Sequence, residues 1–223
     1  MAADAAPDAT PFFSLGYLPE TPSQTAGPYV HIGLIPRQAG FDIFENNLGT
    51  EPMAGSGAKG ERIRIEGRIF DGAGGLVRDA LVEAWQADSN GRFPHPADKG
   101  EGAPPDPAFR NWGRAGTDFE TGVWFLETVK PGPVVGRHGH KRMAPHVSLW
   151  IAARGINLGL ATRLYFADEE AANAADPVLN IIDPPERRRT LLARRDTART
   201  GGPPTYMLDI RLQGPDETVF FDT

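Results

Sequence analysis

The amino-acid sequence predicts a mainly β protein, a β-sandwich with long loops and short peripheral helices. Two observations carry this prediction. The chain has 26 glycines and 21 prolines among its 223 residues, a content that favours short strands joined by many loops over a helical bundle. Apolar and polar residues also alternate in several short segments separated by turn-forming residues, as they do in the strands of a sandwich.

The clearest strand signal is the segment ERIRIEGRIF. In it Ile63, Ile65 and Ile69 fall on one face, and charged side chains fall mainly on the other. This period-two pattern is typical of a half-buried strand. We predict further strands in residues 77–86, 122–130, 146–154, 162–166, 206–213 and 219–221.

The segments between these strands predict loops and two short helices. Residues 88–112 contain too many prolines for a strand ladder, and residues 18–34 read as an extended loop that runs into a short strand. The helices are expected to begin near residues 168 and 183, each opened by acidic side chains as the helix dipole prefers. We expect a flexible N-terminal arm over residues 1–14 and a single domain over residues 15–223.

Composition and charge exclude several classes of function. A formal charge of −6 and a pI near 5.4 argue against a nucleic-acid-binding protein. The chain has no cysteine, which excludes disulfides and thiolate chemistry and fits a cytoplasmic location. Residues 1–10 lack the features of a signal peptide, and no apolar run approaches the roughly 20 residues that a membrane span requires.

The histidines are the first candidates for chemistry. His138 and His140 flank a glycine, a spacing that suits a metal ligand pair but also an ordinary solvated loop. His146 lies on a predicted strand and shares one face with Ser148. One histidine cannot hold a catalytic metal, so His146 alone is interpreted as a hydrogen-bonded structural residue. A metal enzyme that uses His138, His140 and His146 remains an alternative, as does a β-sandwich binding module.

Arg154 is the second candidate, because it ends the same strand on the face that carries His146 and Ser148. A guanidinium at a strand end can bind a carboxylate through two parallel hydrogen bonds. An ordinary surface salt bridge is an equally good interpretation of this residue on the sequence alone.

Six segments, taken in order, resemble the α subunits of the intradiol ring-cleavage dioxygenases that act on protocatechuate. The resemblance covers roughly residues 15–223, and it is specific in combination although each fragment alone is weak. The segments are PETPSQTAGPYVHIGL (19–34), LVRDALVEAWQADSNGRF (76–93), TVKPGPV (128–134), RMAPHVSLWIAARGIN (142–157), ATRLYFADEEAANAADPVLN (161–180) and LDIRLQGPDETVFFDT (208–223).

This resemblance implies an intradiol-dioxygenase-like β-sandwich that pairs with a homologous β subunit. The β subunit would hold Fe(III) through two tyrosines and two histidines, and no cofactor is expected in this chain. The iron binds protocatechuate (3,4-dihydroxybenzoate), O2 attacks, and the ring opens between its hydroxyls to give 3-carboxy-cis,cis-muconate.

The resemblance also implies that the metal-ligand positions of this chain are degenerate. Phe93 and Val134 stand where catalytic relatives have tyrosines, and His146 and Ser148 stand where they have His-x-His. Met143 replaces an active-site arginine. Phenylalanine and valine have no oxygen to offer iron, so the resemblance identifies His146 as the remnant of an iron site.

A last implication of the resemblance is a substrate-binding wall presented to the iron of the β subunit. Thr25, Gly27, Pro28 and Tyr29 would line the cavity, with Gly27 and Pro28 forming a turn that allows close backbone approach. The permanent charge of Arg154 would suit the carboxylate of protocatechuate, by direct contact or by steering.

Overall fold

The computed structural model describes residues 25–43, 51–98, 100, 102–136 and 141–222. The predicted arm over residues 1–14 lies outside this part of the chain, and the single domain remains a prediction. The strands are β1 (Arg62–Phe70), β2 (Leu81–Gln86), β3 (Trp112–Gly116), β4 (Val123–Val129), β5 (Val134–Val135), β6 (Arg142–Met143), β7 (His146–Ala152), β8 (Leu160–Phe166), β9 (Leu192–Arg195), β10 (Thr205–Met207) and β11 (Ile210–Arg211). The helices are α1 (Val30–Leu34) and α2 (Glu170–Ala175), with 3-10 helices at Leu179–Ile181 and Pro185–Leu191.

Hydrogen bonds join the main strands in the order β4-β1-β10-β9-β8-β7-β2-β3, and β11 extends the pairing of β1 beyond β10. The strands β5 and β6 form a separate ribbon. One layer of the sandwich is built on β1 and β4, and the other on β3, β2, β7 and β8. The predicted sandwich is therefore confirmed, with β9 and β10 linking its two layers.

The core lies between these layers and is filled by the alternating apolar residues of both. The predicted inward face of β1 is confirmed, since Ile63, Ile65 and Ile69 are buried. Facing residues of β4, β2, β7 and β8 complete the core, including Trp124, Leu126, Val82, Ala84, Val147, Leu149, Ile151, Leu164 and Phe166. Such burial is the main favourable term in folding.

Gly67 in β1 marks a close approach of two backbones. A Cβ atom at this position would lie 1.8 Å from the carbonyl oxygen of Leu208. Leu208 follows β10, and its amide donates to the carbonyl of Glu66. A side chain at Gly67 would therefore separate β1 from the chain that connects β10 to β11.

The short strand predicted to end near residue 34 is wrong, because this segment forms α1. The amide of Val30 donates to Gly27, and the amide of Gly33 donates to Tyr29, so a turn leads directly into one helical turn. A short apolar run fits a buried strand or a helix segment equally well, and the sequence pattern could not decide between them.

The structure also adds a strand, β3, at the end of the predicted loop over residues 88–112. Gly113 and Gly116 weaken its strand signal in the sequence. Both glycines are demanded by packing, because a Cβ atom at Gly113 would lie 2.5 Å from Met53 and one at Gly116 would lie 2.3 Å from Ile35. The strand propensity of this segment is low because Met53 and Ile35 leave room only for glycine at these two positions.

The C-terminal third contains smaller corrections. The first predicted helix is confirmed as α2, whereas the second is a 3-10 helix followed at once by β9. The strand predicted over residues 206–213 is divided into β10 and β11, and residues 219–221 form only an isolated bridge from Phe221 to Ala161. Among the residues that the structure describes, no helix is long and apolar enough to cross a membrane.

Candidate functional site

Two segments that lie far apart in the sequence meet at the end of β7. Ala26 forms a parallel bridge with Arg154, and the amide of Gly155 donates to the Thr25 hydroxyl at 3.1 Å, across 130 positions of sequence. The N-terminal segment that carries the predicted substrate-binding residues is therefore joined to the predicted arginine.

The helix α1 fixes this segment against the protein. His31 is buried and packs edge-on against the Phe119 ring, with centroids 5.0 Å apart. Burial lowers the pKa of His31, and the carboxylate of Asp79 opposes that shift. At the end of the helix, Ile35 is buried in a small cluster with Leu81 and Ala152, which ties the segment to β2 and β7.

The turn predicted at Gly27 and Pro28 is present and directs Tyr29 outward. The amide of Val30 donates to the Gly27 carbonyl at 3.3 Å, and Tyr29 is 75% exposed. Its phenol is thus available to a neighbouring molecule. Among the described residues a Cβ atom at Gly27 would meet nothing within 4 Å, so the predicted close backbone approach, which concerns the neighbouring subunit, stays a prediction.

Arg154 is held at one nitrogen and open elsewhere. Its Nε lies 2.9 Å from Oδ2 of Asp79, and the two side chains are 67% and 11% exposed. The pair borders a groove of about 560 Å³ between the turn after β1 and the end of β7. Both interpretations of Arg154 therefore have a structural basis: a salt bridge engages Nε, and most of the guanidinium remains accessible to an anion.

Asp79 is a residue that sequence reasoning missed. It lies in the loop just before β2, where nothing in the sequence separates it from other loop aspartates. In the structure its carboxylate is largely buried and restrains the arginine of the site. A restrained side chain loses less conformational freedom when it binds a ligand.

The second candidate region lies at the opposite end of β7. His146 and Ser148 share the face that points away from the core, while Val147 and Leu149 are buried in it. This confirms the predicted division of the strand. Directly opposite on β8, His146 pairs with Tyr165 and Ser148 pairs with Arg163.

The loop that carries Phe93 packs against the segment that leads into β5 and Val134. The carbonyl of Asp88 accepts the amides of Gly91 and Gly132, at 3.0 and 2.9 Å. Gly91 has a φ of +77°, and a Cβ atom on it would lie 2.2 Å from the carbonyl oxygen of Pro133. Only glycine permits this approach of residue 91 to Pro133. The contact packs the segment that carries Phe93 against the segment that leads to Val134.

His146 is a buried, neutral histidine. Its Nδ1 lies 2.8 Å from the carbonyl oxygen of Ala144 and donates to it. Burial, with a smaller effect of the Arg163 charge, lowers the pKa of His146 to about 4, although the Ala144 hydrogen bond and the Asp176 carboxylate oppose the shift. The ring is thus a hydrogen-bonded structural histidine, and its interpretation as the remnant of an iron site stays a prediction.

These residues do not fit a ferric ion. The side chains of Phe93 and Val134 are hydrocarbon, Ser148 is a poor ligand at neutral pH, and His146 alone retains a nitrogen donor. In the described ranges, no three histidine, cysteine or acidic side chains converge as a metal site would require. His138 and His140, the other part of the alternative metal site, lie outside those ranges.

The depressed pKa of His146 predicts an acid-labile contribution to stability. The folded-state value lies near 4 against an ordinary value of 6.5, so the unfolded chain binds the proton first as the pH falls. The contribution is complete above pH 6.5 and should fall by about 2 kcal/mol between pH 7 and pH 5. Denaturant melts of the wild type and of His146→Gln at both pH values test this. An equal pH dependence in the two proteins would contradict it.

Comparisons with known proteins agree with this geometry. A family model described as Dioxygenase matches residues 42–214. The protocatechuate 3,4-dioxygenase alpha chain of Pseudomonas putida is 49% identical over 205 residues, which cover 92% of this chain and 97% of that relative. The protocatechuate 3,4-dioxygenase beta chain of Burkholderia cepacia is 37% identical over 163 residues, with coverages of 71% and 67%.

A solved structure supports the fold. The 3-chlorocatechol 1,2-dioxygenase of Rhodococcus opacus 1CP aligns with a TM-score of 0.55 at 24% identity, covering 72% of this chain and 62% of that one. The architecture is thus that of the ring-cleaving β-sandwich dioxygenases. The chain belongs to the intradiol ring-cleavage dioxygenase family, and within it the similarity to the protocatechuate 3,4-dioxygenase alpha chains spans nearly the full length of both proteins.

Proposed function

We propose that this chain is the non-catalytic α subunit of a protocatechuate 3,4-dioxygenase. It pairs with a β subunit that holds Fe(III) and completes that subunit's pocket for the cleavage of protocatechuate by O2 to 3-carboxy-cis,cis-muconate. The observation that carries this proposal is the junction of Thr25 and Ala26 with Arg154 and Gly155. This junction joins the segment that carries the exposed Tyr29 to the accessible Arg154, at the end of β7 opposite the degenerate ligand positions.

The chemistry of this surface suits an aromatic carboxylate. The guanidinium of Arg154 is permanently charged and can meet a carboxylate with parallel N–H donors. Tyr29, in the segment joined to Arg154 by the Ala26 bridge, offers an exposed hydroxyl and ring. The Nε atom of Arg154 lies 2.9 Å from Asp79, while the arginine side chain is 67% exposed, so the salt bridge restrains the side chain and leaves it accessible to a ligand. We assign substrate binding to Arg154, Tyr29, Pro28, Gly27 and Thr25.

The outer face of β7 and β2 supports pairing with another subunit. Trp150 and Trp85 project from this face and are 39% and 54% exposed, and they lie between the two ends of β7 on neighbouring strands. Large exposed aromatic side chains are enriched at protein interfaces. A homologous β chain, of the kind that the relative from Burkholderia cepacia represents, is the proposed partner.

The lack of cysteine supports a cytoplasmic location, where a reducing environment makes disulfides unnecessary. In this proposal neither nucleic acid nor a membrane is a partner.

The proposal is tested by producing the chain alone and together with a β chain. We expect the chain alone to be colourless and inactive, and the co-purified complex to contain iron and to cleave protocatechuate. Iron content, visible phenolate-to-iron absorbance and oxygen uptake are the measurements. Stoichiometric iron with colour in the isolated chain would overturn the proposal and make this chain the enzyme.

A further inference from the structure

Arg163 lies at the degenerate site, although the resemblance assigns it no role. It lies directly opposite Ser148 across the antiparallel pair β7–β8. Directly opposed residues project to the same face, with Cβ atoms about 5 Å apart. Arg163 therefore shares the face of His146 and Ser148, where the two histidines of a catalytic relative would stand.

The guanidinium of Arg163 turns across this face rather than out to solvent. Its Nη1 lies 3.3 Å from the Tyr165 hydroxyl and 3.5 Å from the Met143 sulfur. Tyr165 in turn packs beside His146, with ring centroids 5.6 Å apart. Met143 is paired with Val134 in the β5–β6 ribbon. The guanidinium thus contacts Tyr165, which packs beside His146, and Met143, which pairs with Val134.

The side chains that contact the Arg163 guanidinium directly carry no charge. They are the tyrosine hydroxyl and the thioether, and among the described residues no carboxylate forms an ion pair with this guanidinium. The nearby Asp176 carboxylate lies beyond the Tyr165 hydroxyl and already accepts three backbone amides. The side chain is half-buried, so solvent screens it less than it would a surface arginine. A site of this kind already holds one fixed positive charge.

We infer that Arg163 occupies the degenerate site as a built-in cation and excludes a metal ion from it. The missing ligands and the Arg163 charge then oppose metal binding independently. Restoration of the three missing ligands would not by itself return iron to the chain, because the guanidinium remains among them. The inference goes beyond the proposed function, and its failure would leave the α-subunit role intact.

The test restores the ligand set with and without the charge. One full-length variant carries Phe93→Tyr, Val134→Tyr and Ser148→His, and a second adds Arg163→Gln. After loading with ferrous iron in air and removal of loose metal, we expect stoichiometric iron and a visible phenolate-to-iron band only in the second. The first should hold at least about tenfold less iron, since a like charge nearby disfavours a cation.

A matched control separates charge from shape. Arg163→Lys on the restored background keeps the positive charge, and we expect it to bind as little iron as the variant that retains Arg163. Stoichiometric iron with Arg163 in place would overturn the inference. Equal iron in the glutamine and lysine variants, or none in a folded glutamine variant, would overturn it as well.

Folding of each variant is checked by circular dichroism and thermal melting. If the threefold restoration does not fold, the same comparison is made with Val134→Tyr and Ser148→His alone, which together with His146 still provide three donors. Cobalt(II) absorption then replaces the iron measurement, and the same ordering of glutamine above lysine and arginine is expected. An ordering that does not depend on charge would contradict the inference.

Discussion

Replacement of Arg154 by alanine is expected to raise the apparent KM for protocatechuate about tenfold in the assembled α–β enzyme, an effect of roughly 1.4 kcal/mol. The iron content and kcat should stay unchanged, because the role proposed for Arg154 is to bind the substrate and not the metal. The physical reason is the loss of a charge-assisted contact to the substrate carboxylate from a guanidinium that is mostly open. Steady-state kinetics on the complex, with iron analysis of the same preparation, provide the measurement.

Two controls sharpen this experiment. Catechol lacks the carboxylate, so any activity toward it should have the same KM in the wild type and in Arg154→Ala. Arg189→Ala removes another exposed arginine that pairs with an aspartate, Asp216, but it lies away from the junction and should leave the KM unchanged. An unchanged KM in Arg154→Ala would remove the substrate-binding role from this residue.

Replacement of Asp176 by alanine is expected to cost about 3 kcal/mol or more of unfolding free energy, because it leaves several buried donors without an acceptor. The carboxylate is fully buried. It accepts the amides of Ala144, Val178 and Leu179, each at 2.8 Å, and faces the Tyr165 hydroxyl at 3.3 Å. For a chain of this size the melting temperature should fall by about 6–12 °C.

The control for this prediction is Asp71→Ala. Asp71 also binds backbone amides, those of Ala73 and Gly75, but its side chain is exposed, so water can replace it. We expect a loss of at most about 1 kcal/mol there. Calorimetry of both variants tests the contrast, and similar melting temperatures in the two proteins would show that burial of the Asp176 carboxylate is not what stabilises this region.

The parts of the fold that could be predicted are those in which one strand face is buried. The alternation of apolar and polar residues in β1 and β7 can be recognised from the sequence. A shift of one residue in register would place every apolar side chain on the wrong face. The prediction failed where local pattern and packing disagree. In β3, glycines are required by Met53 and Ile35, and those contacts come from distant parts of the chain.

The candidate site divides in the same way. Motif resemblance identified Arg154, the segment 25–29 and the degenerate ligand positions, because each lies in a recognisable run of residues. Asp79 and Arg163 also lie in such runs, but the resemblance assigns them no role. Their importance arises from a salt bridge to Arg154 and from strand register opposite Ser148, and neither can be read before the pairing of strands is known.

The parallel pairing of β1 with β10 has a consequence for how the chain folds. Arg64 is paired with Thr205, and Ile65 with Tyr206. One edge of β1 can therefore pair only after the strands near the end of the chain have formed. Closing so long a loop is entropically costly, and topologies dominated by distant pairs fold slowly, on a scale of about milliseconds to seconds. During synthesis, one edge of β1 stays unpaired until the last strands leave the ribosome. Until then that unpaired edge can pair with another chain, which favours aggregation.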